Sequence, residues 1–410
     1  MKMLYIIEDV YPPFRVDVVE LFAKQMTNRG HDIEWMMIPG KQSLNGKKEI
    51  NWNNNTVYLG KTSDKQGLLG KIIRNLLSIT FDLSIPIRSV KGKYELIQVR
   101  DRYFAGLMAW VGAKLSGAKF TFWMSYPYPE SKIEQVKNGY VKYPYLTLLK
   151  GIAIKFILYR IVLPLTDHIF VQSEQMLEDV ALKGISREKM TPVPMGIKDE
   201  ILDEISNPKI INREHPVLLY LGIILRLRKA EFLVKVLSLV RKKYPTAKLL
   251  YVGDGQNAGD VESVELEANK LGLTDAVTIT GNLPMEHAWD YVKNADICFS
   301  PFYPIPTLLS TSPTKLIEYM AYSKPIVAND HPEQTQVLNE SGVGKTVRWD
   351  ENQFASAVIE LLDNPEETNA RAAKGPLYVR ENRIYSVIAR NVEIKYREIL
   401  GHERSIDTCY

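Results

Sequence analysis

Ser312-Pro313-Thr314-Lys315-Leu316-Ile317-Glu318-Tyr319-Met320-Ala321 is followed closely by Lys324-Pro325-Ile326-Val327-Ala328-Asn329. Ser312 suits an N-cap, and Pro313 suits the first helical position, where a missing N–H is tolerated. Leu316, Met320 and Ala321 fall on one face at helical spacing, and Pro325 ends the helix before a β-branched strand. A capped helix start exposes free N–H groups and the positive end of a dipole, which together receive a phosphate. Glu318 lies about one turn further in; when ionised it only accepts hydrogen bonds, so it can grip a sugar diol. The same pattern also fits an ordinary capped helix of an α/β domain.

The rest of the chain supports that setting. Its 410 residues predict two domains of roughly 200 residues each, with ordinary globular composition, 45% hydrophobic and 24% charged. Cys298 and Cys409 are far apart, Cys298 in an apolar strand pattern, so a reducing compartment is expected rather than a disulfide framework. Met1 to Ile7 meets Glu8-Asp9 too soon for a signal peptide and reads as a first strand, so a cytoplasmic location is expected.

The net charge of +4 is uneven. Residues 1–200 hold 28 Lys/Arg against 20 Asp/Glu, and residues 201–410 hold 24 against 28. Lys61, Lys65, Lys71, Arg74, Arg88, Lys91 and Lys93 face only Asp64 and Asp82 in their stretch. A basic N-terminal half implies an anionic partner, and an anionic membrane surface or lipid phosphate is preferred. Zinc-finger spacing and aromatic RNA-binding strands are missing from the sequence, so nucleic acid is not expected.

In chain order, Met3–Glu8, a turn at Tyr11-Pro12-Pro13-Phe14, a helix from Val16 to Met26 and a strand at 33–38 make a Rossmann-like opening. Residues 40–65 read as a loop or hairpin. Leu68 to Phe81 is an amphipathic helix with a basic face. Strands at 96–99, 120–124 and 168–171 alternate with helices at 103–115 and 174–183, the latter capped by Ser173. Tyr145 to Pro164 is the most apolar segment, but Lys150, Lys155 and Arg160 exclude a spanning helix. It fits either a packed helix or an interfacial one. Residues 198–215, with Asn207-Pro208, read as a linker. The alternation then restarts, with strands at 217–221, 248–252, 277–280 and 297–300 and helices between them. The dense cationic turn from Arg226 to Lys229, beside a helix start, suits a diphosphate.

Ser312 to Ala328 resembles the nucleotide-sugar segment of the retaining glycosyltransferases of family 4, the "group 1" transferases. Val193-Pro194-Met195-Gly196-Ile197 resembles the end of that family's N-terminal domain. The resemblance implies an α/β fold of the GT-B type: two Rossmann-like domains facing each other across a cleft, with the last helix, Tyr385 to Leu400, crossing back to the N-domain. The expected domains are 1–200 with 385–410 for the acceptor, and 201–384 for the nucleotide sugar.

By the same resemblance Glu318 binds the donor ribose, and Lys229 and Arg228 bind the diphosphate and carry catalysis with Ser125. Gly222, Gly253, Leu283, Ser310, Thr311, Ser312 and Thr314 complete the donor side, with the Leu283 loop at the nucleobase. Arg15, Tyr126 and Glu130 are expected on the acceptor side. Three positions depart from the family: Ser310 replaces its first Glu, Ile223 its Arg after the strand, and Phe14-Arg15 its first-turn Gly pair. Arg228 or Arg226 is the substitute for the missing Arg.

The reaction implied is transfer of a sugar from a nucleoside-diphosphate sugar to a glycan or lipid-linked acceptor, with retention of configuration. No metal and no cofactor are expected, the nucleotide sugar being a substrate. A role in cell-surface polysaccharide or glycolipid synthesis is expected, with peripheral contact to the inner face of an anionic membrane. Two alternatives stand beside this reading: a nucleotide-sugar 2-epimerase of the same fold, and a nucleotide-sugar-binding scaffold subunit with little activity, motivated by Ser310 and Ile223.

Overall fold

Apolar runs punctuated by glycine become the strands of two largely parallel sheets. The computed structural model describes residues 1–40, 48–139, 141–203, 210–257 and 259–402. Cys409, part of the 40–65 segment and Asn207-Pro208 of the expected linker lie outside the described residues. The chain divides into a first unit, Met1–Pro194 with Tyr385–Tyr410, and a second, Met195–Ile384. The division falls at Pro194 because Met195 N–H donates to Ser312 Oγ at 2.8 Å and Ile197 bridges Ile384, both within the second unit.

The first unit holds β1 (Lys2–Tyr11), β2 (Asp32–Pro39), β3 (Glu49–Trp52), β4 (Asn55–Leu59), β5 (Leu96–Arg100), β6 (Lys119–Met124), β7 (His168–Val171) and β8 (Met190–Pro192). Their order is β3-β4-β2-β1-β5-β6-β7-β8, parallel except for the β3–β4 pair. That pair turns at Asn53 and Asn54, both left-handed, as a tight hairpin of twisted strands requires. On β1, Met3, Tyr5 and Ile7 enter one layer, with Tyr385, Ile388, Val392 and Tyr396 of the Tyr385–Leu400 helix. Leu4 and Ile6 enter the other, with Ala105 and Ala109. A parallel strand covered on both faces has to be apolar where it is covered, and this one is from Met3 to Ile7, before Glu8 and Asp9 leave the core.

The second unit holds β9 (Val217–Leu221), β10 (Lys248–Val252), β11 (Val277–Ile279), β12 (Ile297–Ser300), β13 (Ile326–Asn329) and β14 (Lys345–Val347). All are parallel, in the order β11-β10-β9-β12-β13-β14. Leu218 and Tyr220 of β9 pack in one layer, Leu219 and Leu221 in the other.

The helices depart from expectation at two places. Ser173 caps its helix, accepting from Met176 N–H at 3.0 Å, as the sequence predicts. Ser312 does not: the helix runs Thr314–Ala321 with Pro313 at the cap and no side-chain cap bond. Ser312 instead accepts from Met195 N–H and donates to Glu333 Oε1 at 2.6 Å. The Ser125–Glu130 turn continues into a helix, Tyr128–Lys137, because Pro129 sits in its first turn.

Glu333 also pairs with Arg383 at 2.8 Å, both side chains nearly fully buried. Removing one member of such a pair leaves a buried charge, at a cost of about 3–5 kcal/mol. Arg383→Leu should therefore lower the urea midpoint of the second unit's transition, and Glu333→Leu/Arg383→Leu should recover most of it. A double variant no more stable than the single one would mean that Glu333 matters only as a partner for Ser312.

Candidate nucleotide-sugar site and a first-unit cavity

The strand order of the second sheet reverses between β9 and β12, and ligands of open α/β sheets bind beyond the carboxyl ends of strands at such a point. β9 ends at Gly222, which has φ +126°. A Cβ there would lie 3.5 Å from Lys315 Nζ, so the ammonium stands beside exposed backbone. β10 ends at Gly253, where a Cβ would lie 2.3 Å from Gly222 O; only glycine allows the two turns to approach.

Three cations gather around the β9 turn. Lys315 Nζ is buried, 3.8 Å from the centre of the Tyr220 ring. Burial holds the Lys315 ammonium below the usual lysine range, Tyr220 working against that shift and Arg228 with it. Burial alone would raise the Tyr220 phenol, but Lys315 and Arg228 outweigh it and bring it down to about 8. Arg228 Nε is buried with no hydrogen-bond partner among the described residues. Lys229 follows in a left-handed conformation and is half-buried. None of Arg228, Lys229 and Lys315 forms an ion pair among the described residues. Arg226 is directed elsewhere, donating to Gly259 O at 2.9 Å and lying 3.9 Å from Glu262.

Glu318 is half-buried, one turn along the helix from Lys315. Burial pushes its carboxyl up to about 7, against the pull of Lys315. Thr314 opens the helix, half-buried. Ser310 is buried and donates to Pro306 O at 3.2 Å, while Thr311 donates to Leu308 O at 2.7 Å, so both hydroxyls back-bond to their own turn. Leu283 packs on the core beneath the Gly281 loop. Ile223, 40% exposed, supplies no charge. Among the described residues no three His, Cys, Asp or Glu side chains are grouped as metal ligands.

In the first unit a cavity of about 560 Å³ is lined by Asp101, Tyr103, Tyr128, Lys132 and Lys150, with Ile79, Phe104 and Ile154 among its apolar walls. Ser125 is buried, its N–H and Oγ both donating to Asp101, the N–H at 3.1 Å. It is Asp101 that reaches the cavity. Asp101 has φ +54°, an uncommon backbone state, and burial raises its carboxyl to about 6 despite Arg100 and Ser125. Arg15 donates to Tyr128 Oη at 2.8 Å and to Asp9 Oδ1 at 2.9 Å, so it touches the lining through Tyr128. Tyr126 stacks edge-on against Tyr128 at 5.1 Å. Glu130 pairs with Lys155 at 3.5 Å and accepts from Tyr159 Oη at 3.3 Å, away from the lining.

Residues 215–364, which carry all of β9–β14, match the family model of the glycosyl transferases group 1. The whole chain superposes on sucrose-phosphate synthase from Thermosynechococcus elongatus with a TM-score of 0.70 at 17% identity, covering 98% of this chain and 100% of that one. The fold is GT-B. Anabaena HepE, solved in complex with UDP and glucose, shares this GT-B fold with a TM-score of 0.67, 12% identity and coverage of 97% and 99%. WaaG, a glycosyltransferase involved in lipopolysaccharide biosynthesis, does so with 0.66, 13% and coverage of 95% and 99%. No curated protein sequence matches the chain.

Sequence reasoning missed Lys315 and Asp101. Lys315 sits four residues before buried Tyr319, so a lysine on the apolar face of the helix was the available signal. Asp101 lies in Arg100-Asp101-Arg102, a charged triplet ending an apolar strand.

The Glu318 carboxyl, raised above its unfolded value of 4.5, keeps its proton longer in the folded state. Stability therefore falls as pH rises from about 4.5 through about 7. Glu318→Gln removes this penalty and should raise the Tm at pH 8 but not at pH 4.5. Equal shifts at both pH values would show that the carboxyl is not held protonated.

Proposed function

We propose that this protein is a retaining glycosyltransferase, taking its sugar from a nucleoside-diphosphate sugar and giving it to a glycan or lipid-linked acceptor. The observation that carries this reading is the set of cations, Arg228, Lys229 and Lys315, that form no ion pair among the described residues and stand around Gly222 at the strand-order reversal. Three cations in a partly buried turn, with Glu318 as the one carboxyl that acts on Lys315 and no ion pair among the described residues, fit an anion that arrives from outside. The start of the Thr314–Ala321 helix adds its N–H groups.

In this reading the diphosphate lies over Gly222 and against the three cations, and ionised Glu318 accepts from the two ribose hydroxyls. Leu283 meets the base, and Gly253 lets the two turns close on the phosphates. As the glycosidic bond breaks, charge develops on the leaving diphosphate, and Lys229, Arg228 and Lys315 stabilise it where it forms. Protein cations thus take the part of a divalent ion, so no metal is required. Retention follows the resemblance of Ser312–Ala328. The acceptor occupies the first-unit cavity, its hydroxyl near Asp101, with Ser125 holding that carboxylate in place and Arg15 holding Tyr128. Tyr126 and Glu130 shape the surrounding turn. The reaction belongs to cell-surface glycan or glycolipid synthesis at the inner face of a membrane.

A nucleotide-sugar-binding scaffold is the second reading. It is favoured by Ser310, whose hydroxyl is directed at Pro306 O, and by Ile223.

Thermal shift with UDP, GDP, ADP and dTDP, each with and without magnesium, tests the donor site. One nucleotide should raise the Tm, equally without the metal. Lys315→Met and Lys229→Ala should each abolish that shift and lower donor turnover by at least about 100-fold. No shift with any nucleotide would refute the reading; a shift with no turnover on any acceptor would favour the scaffold.

A further inference from the structure

Two helices of the first unit leave their apolar faces uncovered. Along Gly67–Asp82, Leu69, Ile72, Leu76 and Ile79 recur at spacings of three and four, with exposures of 61%, 47%, 57% and 42%. Along Pro144–Ile157, Leu146, Leu149, Ile152 and Phe156 do the same, at 67%, 66%, 52% and 61%. Exposed apolar stripes of this length on a soluble surface mark an interaction site. Beside them stand Lys71, Arg74, Lys150 and Lys155, and across both helices the only acid is Asp82, buried against Arg102. Tyr143 and Tyr145, 63% and 89% exposed, flank the second stripe, as aromatics do at a headgroup boundary. No described helix is long and apolar enough to cross a membrane.

The same two helices border the cavity. Ile79 both lines it and belongs to the first stripe, and Lys150 lines it from the second helix.

We propose that the first unit docks on an anionic bilayer through these two helices, with both stripes in the headgroup–acyl boundary. The cavity between them then receives the polar head of a lipid that stays in the bilayer. Charge decides between a bilayer and a second copy of the chain. Lys155 is answered by Glu130, but a two-fold interface on these helices would set Lys71, Arg74 and Lys150 against their own copies with no acid on either stripe, whereas anionic headgroups neutralise them. The docking stands without the transferase reading; only the lipid's role as acceptor rests on it.

The test is co-sedimentation of the full chain with phosphatidylcholine vesicles, with and without phosphatidylglycerol. The chain should sediment with the anionic vesicles and be released by salt. Leu69→Ser/Leu76→Ser and Leu146→Ser/Leu149→Ser should each weaken that partition by about tenfold, and Lys71→Gln/Lys150→Gln should weaken it and flatten its salt dependence. All these side chains are exposed, so the variants should keep the parent Tm and the nucleotide-induced shift. A nucleotide shift lost in the parent chain would fault the transferase reading and leave the docking intact. The docking is overturned if the parent binds neither vesicle, if the serine variants bind as well as the parent, or if the parent self-associates without lipid and the serine variants do not.

Discussion

A parallel sheet whose strand order reverses has to open at its carboxyl edge, because the crossovers from the two central strands leave on opposite faces. In the second unit those strands are β9 and β12, and the arrangement of side chains at that edge follows from the opening. Gly222 and Gly253 turn the chain back without side chains in the way. The segment after β12 is then free to end in a short helix whose N-terminus, Lys315 and Glu318 meet at the same edge. Strand apolarity, tight glycine turns and a charged rim are three consequences of one topological constraint.

The charges at that rim are poorly solvated by the protein itself. Lys315 is buried against an aromatic face, Arg228 leaves a buried N–H without a partner among the described residues, and Glu318 is pushed towards its neutral form. Each departs from the rule that buried polar groups are matched. Such departures concentrate at sites that await a ligand, since a site satisfied internally has nothing left to offer one.

Most of the fold was legible because strands buried on both faces must be continuous apolar runs. Val217–Leu221, Lys248–Val252 and Ile297–Ser300 stand where the sequence placed them. What failed were local rules overridden by distant residues. Ser312 looks like a cap until Met195 and Glu333, far away in sequence, claim its hydroxyl. Ser125 looks presented on its turn, yet Asp101 from a neighbouring strand takes both its N–H and its hydroxyl. At the candidate site, Glu318, Arg228 and Lys229 are singled out by spacing and resemblance, and they stand at the carboxyl edge of the second sheet. Lys315 is not, because its place on the apolar face of the helix marks it as buried without announcing Tyr220 as its partner.

The last helix carries a consequence for how the protein is made. Tyr385, Ile388, Val392 and Tyr396 pack with Met3, Tyr5 and Ile7, and Tyr396 Oη donates to Gln98 Oε1 at 2.5 Å. Yet 190 residues of the second unit, Met195–Ile384, lie between these partners in sequence. During synthesis the first unit emerges early but waits, one side of its sheet covered only in part, by Val18, Leu21, Phe22 and Met26 of the Asp17–Met26 helix, until Tyr385–Leu400 has left the ribosome. The second unit has all its strands by Val347, and its last ties, Arg383 to Glu333 and Ile384 to Ile197, come just before that helix. The portion translated first is thus completed last, and until then the half-built first sheet leaves apolar surface open of the kind that favours aggregation.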